Sequence, residues 1–253
     1  MSLRTSYVPG TPSWVDLGSP NPSAAADFYR NVFGWTIEAD ARPEAGGYAM
    51  CMLNGQPVAG LGPQMNPDLP PFWNVYVTVT SADNTLGLVS SNGGTVVVPA
   101  MDVLDVGRMG ILQDPGGSFI SVWEPRAHIG AGLVNEPGTF TWSELATTDL
   151  PAVSAFYGKV FGWGIGEGSS DTGAIYTVKG EVVCGAHRAG EGEHPSWSAW
   201  FGVSDCDASA AQVVELGGSV LMPPSDLDFG RGAVVADLDG AAFGIGTMTS
   251  ASQ

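Results

Sequence analysis

Two carboxylates stand where acid–base chemistry could be done. Asp16 lies in the stretch "PSWVDLGS" and Glu144 in "FTWSELAT", each two residues after a tryptophan, Trp14 and Trp142. In an extended segment, alternate residues share a face. Trp14 and Asp16 therefore point one way and Val15 and Leu17 the other. The copy places Trp142 and Glu144 opposite Ser143 and Leu145. A carboxylate on a partly apolar wall has a raised pKa and suits a general base, while an indole beside it offers a flat surface for stacking an aromatic ring. The structural alternatives are indoles packed at a sheet mouth and carboxylates paired with Arg108 or Arg231, or hydrated. His187, in "VCGAHRA", is placed to reach the second of these faces. His128 and His194 fall in linker and loop segments and carry little weight. The sequence has no G-x-S-x-G elbow, P-loop or CxxC pair, which argues against triad hydrolysis, nucleotide cradling and zinc knuckles.

The elements that must position these residues occur twice. "FYRNVFGWTI" begins at Phe28 and "FYGKVFGWGI" at Phe156, 128 positions later (156 − 28). Trp73 and Trp197, Gly93-Gly94 and Gly217-Gly218, Arg108 and Arg231, and Asp114 and Asp237 continue the match, the offset slipping only where loops change length. A period this long is that of a whole domain. Within each half the order reads strand, helix and three strands, then the same again. The helices are predicted to start near Pro22 and Pro151, where a missing N–H costs nothing, and Gly-Gly closes the second helix of each half. On the fifth strand Asn74 and Tyr76 oppose Val75 and Val77, and in the copy Ser198 and Trp200 oppose Ala199 and Phe201. A curved sheet with the mixed face inside would be a cup.

Paired β-α-β-β-β units with F-Y-x-x-V-F-G-W on the first helix and D-P-x-G before the last strand resemble the vicinal oxygen chelate superfamily, which includes glyoxalase I, bleomycin-resistance proteins and extradiol dioxygenases. The chain is especially similar to the tandem glyoxalase-like proteins of actinobacteria labelled "hydroxylase". The resemblance implies an α+β fold of two tandem domains, each an eight-stranded cup. It also implies a divalent metal held by His, Glu or Gln from the first, fifth and eighth strands. Those positions fall on Trp14, Asn74 and Ser121 in the first domain, and on Trp142, Ser198 and Gly244 in the second. None is His, Glu or Asp, so neither metal nor other cofactor is expected.

Composition bounds the partners. With 26 acidic and 9 basic residues the chain carries a formal charge of −17, which repels phosphate backbones and argues against nucleic acid. No apolar run is long enough to span a bilayer, and three dispersed cysteines suit a reduced, cytoplasmic setting. The expected organisation is a domain over 11–126, a linker over 127–137 and a domain over 138–249. A monomer with an internal pseudo-two-fold is expected, with a dimer as the alternative. The expected function is metal-free binding of a planar aromatic or polyketide-like molecule, with Trp14, Asn74, Tyr76, Ser121, Trp123, Trp142, His187, Ser198 and Trp200 lining the cups. The rival reading is a lyase, isomerase or oxygenase using Asp16 or Glu144 as general base.

Overall fold

The computed structural model describes residues 2–227 and 230–248; the expected end of the second domain at residue 249 lies outside them. A short strand β1 (Ser2–Leu3) precedes the first half, which runs β2 (Pro12–Ser19), α1 (Pro22–Phe33), β3 (Thr36–Ala39), β4 (Ala49–Leu53), β5 (Gln56–Pro63), β6 (Phe72–Thr78), α2 (Ala82–Ser91), β7 (Thr95–Val103), β8 (Gly107–Gln113) and β9 (Phe119–Pro125). After β10 (Leu133–Val134), the second half repeats the order. It runs β11 (Phe140–Thr147), α3 (Leu150–Val160), β12 (Gly164–Ile165), β13 (Gly173–Val178), β14 (Glu181–Arg188), β15 (Ser196–Gly202), α4 (Cys206–Glu215), β16 (Ser219–Leu227), β17 (Gly230–Ala236) and β18 (Ala242–Met248). Each half forms one curved eight-stranded mixed sheet, ordered β3-β4-β5-β2-β6-β9-β8-β7 and β12-β13-β14-β11-β15-β18-β17-β16.

The local signals act where expected. The Asn21 and Asp149 side chains accept the N–H of Ala24 and Ala152, capping helices whose first turns hold Pro22 and Pro151. Gly93 and Gly217 take positive φ just beyond α2 and α4. Val15, Leu17, Val75, Val77, Leu145, Ala199 and Phe201 all join one apolar core behind the sheets.

The repeated decamer is an interdomain device. On α1 the Tyr29 hydroxyl donates to Asp237 of the other half at 3.0 Å, and on α3 Tyr157 donates to Asp114 at 2.7 Å. Each tyrosine oxygen also accepts an indole N–H, from Trp73 at 3.1 Å and from Trp197 at 2.9 Å. The motif's own tryptophans reach across as well. Trp35 donates to the Gly138 carbonyl and Trp163 to the Gly10 carbonyl. Phe201 of the second half packs on Phe33 and on Trp73 of the first, with ring centroids 5.0 Å apart in each pair. F-Y-x-x-V-F-G-W and the D-x-x-G turn thus clasp each other reciprocally about a pseudo-two-fold.

Candidate functional site

In the first cup Asp16 is the centre of a buried polar knot. Its Oδ1 accepts from the Asn74 amide at 2.9 Å, and its Oδ2 accepts from the hydroxyls of Tyr76 at 3.0 Å and Tyr48 at 3.2 Å. Tyr48 in turn accepts the Trp14 indole N–H at 3.1 Å. Asp16 does not meet Arg108, and Glu144 does not meet Arg231: Arg108 bonds Asp83 and Asp102, and Arg231 bonds Asp207 and Asp226. Both arginines tie exposed acids of their own halves, so the structure does not take the alternative of a carboxylate–arginine pair. Asp83 and Asp102 hold the Arg108 guanidinium at α2 and β7, and Asp207 and Asp226 hold that of Arg231 at α4 and β16.

Burial pushes the Asp16 carboxyl above its ordinary range, and the Asn74, Tyr76 and Tyr48 donors only partly oppose this. The native state therefore holds this proton above pH 3.8, where the unfolded chain begins to release it. The stability contributed by this group is full below that pH and is lost as pH rises through the raised folded value. Asp16→Asn removes this loss, so its melting temperature should improve relative to the parent as pH rises above 3.8. Paired thermal melts across that range check it, and a difference trending the other way would contradict it.

Trp14, Tyr76 and Trp123 are buried together with Ala131 and Val134 of the connecting segment, and Met50, Val103, Val106 and Met109 pack against them. His128 stands edge-on to Trp14 (centroids 4.5 Å apart) and to Trp123 (5.7 Å). The Trp123 indole donates to the His128 carbonyl at 2.8 Å. The His128 Nε2 is buried with no hydrogen-bond partner, and burial pushes its pKa down to about 4. Sequence reasoning set His128 aside as a linker residue and did not single out Tyr48 at all. The period-2 pattern continuing one residue ahead of "AMCML" is the signal that could have found Tyr48.

The second cup is built differently. Trp142 lies across Gly185, where a Cβ would sit 2.9 Å from its ring, and Trp200 lies across Gly244. Trp142 is half-buried and Ser198 is also partly accessible. The Glu144 side chain remains 25% exposed, with its Oε1 3.4 Å from His187 Nδ1. His187 Nε2 lies 3.0 Å from Glu193. Hydrogen bonding to Glu144, with Glu193 assisting against partial burial, raises the His187 pKa to about 9. An imidazolium flanked by Glu144 and Glu193 therefore stands on this half at neutral pH.

The donor positions implied by the superfamily do not fit a metal. Trp14 has committed its indole N–H to Tyr48, and indole nitrogen has no lone pair to offer. Asn74 is committed to Asp16. At residue 244 a Cβ would lie 1.9 Å from the Trp200 ring, leaving no room for a ligating side chain. Among the described residues no three His, Cys, Asp or Glu side chains group closely enough to hold an ion. Two shallow crevices, of about 220 Å³ beside Gly10, Val79 and Phe161 and about 310 Å³ beside Phe33, Gly138 and Val203, lie on the interdomain seam and not in either cup. Among the described residues no helix is long and apolar enough to cross a membrane.

Residues 11–122 match the Glyoxalase/Bleomycin resistance protein/Dioxygenase superfamily, and residues 142–245 match a glyoxalase-like domain. The chain is 39% identical over 255 residues, covering 97% of each protein, to CFP32 of Mycobacterium tuberculosis, whose name assigns it provisionally to the glyoxylases. It is 35% identical over 263 residues to the anthracycline biosynthesis protein DnrV of Streptomyces peucetius, covering 95% of this chain and 94% of that one. Among solved structures, the Mn(II)-bound glyoxalase from Novosphingobium aromaticivorans shares the fold at a TM-score of 0.65 and 14% identity, over 94% of this chain and 82% of that chain. The 2,2',3-trihydroxybiphenyl 1,2-dioxygenase from Sphingomonas wittichii does so at 0.63 and 15%, over 95% and 91%. Both halves carry the paired units, and the chain belongs to the glyoxalase/bleomycin resistance protein/dioxygenase superfamily.

Proposed function

We propose that this chain is a metal-free small-molecule-binding protein that holds a planar aromatic, polyketide-like compound in a cup, as a resistance, sequestration or biosynthetic accessory protein. The observation that carries this reading is the exchange at the implied donor positions. Indole, amide, hydroxyl and glycine stand where a metal would need anionic or imidazole ligands, and Trp142 and Trp200 form the second cup's floor. Similarity to a protein named for anthracycline biosynthesis supports a flat, multi-ring ligand. Three unpaired, buried cysteines suit a reducing cytoplasm.

The test is equilibrium titration of protein from metal-replete medium with 1,4-dihydroxyanthraquinone, followed by tryptophan fluorescence. Saturable binding that survives chelator, with well under one equivalent of metal per chain, is the expected result. Stoichiometric zinc, iron or manganese, or binding abolished by chelator, would overturn it. A second reading is favoured by one feature: Glu144 is reachable and paired with a charged imidazole. Lyase, isomerase or oxygenase chemistry with this carboxylate as base predicts turnover that Glu144→Gln abolishes.

A further inference from the structure

The two cups differ in what fills them. Tyr48 precedes Ala49, which faces Leu61 across the sheet, and Leu61 faces Leu17. In the second half Gly173 precedes Ala174, which faces Ala186, and Ala186 faces Leu145. Gly173 therefore occupies the place of Tyr48. By the same registers, Trp123 lies two residues beyond Ser121, the partner of Tyr76, and Gly246 lies two beyond Gly244, the partner of Trp200. Met109 faces Trp123 where Gly232 faces Gly246. Three large cup-facing side chains of the first half are thus glycines in the second.

The first cup also receives a segment of the chain itself. The linker runs along β2 and β5, with Ala131 N–H donating to the Ser13 carbonyl at 2.8 Å and Gly132 N–H to the Pro57 carbonyl at 2.7 Å. Its outer side is strapped by the N-terminal segment. Ser2 and Leu3 pair with Val134 and Leu133, Arg4 N–H donates to the Gly132 carbonyl, and the Tyr7 hydroxyl donates to the Ala131 carbonyl. Ala131, Leu133 and Val134 are buried, and His128 takes an edge of the Trp14 and Trp123 rings. The surfaces on which a flat ligand would stack in this cup are covered by covalently attached side chains.

We infer that the linker is the resident occupant of the first cup, so that each chain has one small-molecule site, in the second cup against the half-buried Trp142. This rests on the proposed ligand-binding function for the second cup, but the plug in the first is independently testable. A linker held at high effective concentration outcompetes a free ligand for the same surface.

Two measurements on the wild-type protein decide it. Amide hydrogen exchange should show the Ala131 and Gly132 N–H groups as protected as those in the middle of β2, exchanging only with global unfolding. Exchange faster by a hundredfold or more would overturn the plug. Titration of 5-fluorotryptophan-labelled protein with 1,4-dihydroxyanthraquinone should saturate at one equivalent. It should shift the fluorine signal of Trp142 while those of Trp14 and Trp123 stay fixed. Two equivalents, or movement of the Trp14 or Trp123 signals, would overturn the one-site assignment and leave the binding function standing. Absence of any saturable binding would sink the binding function and the one-site assignment together, and hydrogen exchange would then decide the plug alone.

Discussion

Tyr29→Phe and Tyr157→Phe should each destabilise the protein by about 1–3 kcal/mol, because each leaves a buried carboxylate oxygen without its donor. Asp237 and Asp114 otherwise rely on backbone donors, from Asp239 and Ala241 in one turn and from Gly116 and Ser118 in the other, and all of these reach the opposite oxygen, Oδ1. Burial holds both carboxyls above their ordinary range, and the tyrosine donors oppose that rise. Removing a donor lifts the folded pKa further. A raised carboxyl contributes stability at low pH that is lost as pH rises through the folded value, so the penalty of each substitution should grow from pH 5 to pH 8. The double variant should approach the sum of the two, since each tyrosine serves a different turn. Urea unfolding at both pH values checks this. A penalty below about 0.5 kcal/mol, within the range of ordinary surface changes, would show that the clasp does not hold the halves together.

This clasp explains why the decamer is written twice. A curved sheet with helices on one side buries its helix face only when something covers the helices' free flank. Each half uses the other for this. The same tyrosine meets an indole from its own sheet and a carboxylate from its neighbour's turn. Two copies of one sequence then suffice for both sides of the contact, as in a two-fold dimer made within one chain. A monomer is the expected state, and light scattering near 26 kDa is the result that would agree with it.

Much of this was legible in the residues. Helix starts at Pro22 and Pro151, alternation at Val15 and Leu17, and the internal match fix the order of elements, because those signals are local or are read by comparing the chain with itself. The positions of Trp14, Asp16, Asn74 and Tyr76 on one face follow from strand alternation. What alternation cannot supply is the partner. That Tyr48 bonds Asp16, or that Tyr29 meets Asp237, depends on packing between segments 32 and 208 residues apart. His128 was invisible for the same reason. A linker without period gives no sign of the groove it will enter, and its docking on β2 and β5 uses backbone groups that every residue carries. The glycines at 173, 232 and 246 were plain to see, but their meaning depends on the strand registers that set them opposite Tyr48, Met109 and Trp123.

The paired indoles, equal in the sequence, should part company when removed. Trp14→Ala takes a ring out of a buried cluster and deprives Tyr48 of a donor, so it should cost about 3–5 kcal/mol of stability, as large-to-small core changes do. It should leave the affinity for 1,4-dihydroxyanthraquinone unchanged, because the linker already covers that ring. Trp142→Ala should do the reverse. Its ring is half-buried and lies on Gly185. Loss of stacking and contact together should weaken binding about tenfold, roughly 1.4 kcal/mol, with a smaller loss of stability than at Trp14. Fluorescence titration and urea melts of both variants give the two axes of the comparison. If Trp142→Ala binds the anthraquinone as tightly as the parent does, the indole of the second cup is packing alone, and the ligand surface must be sought elsewhere.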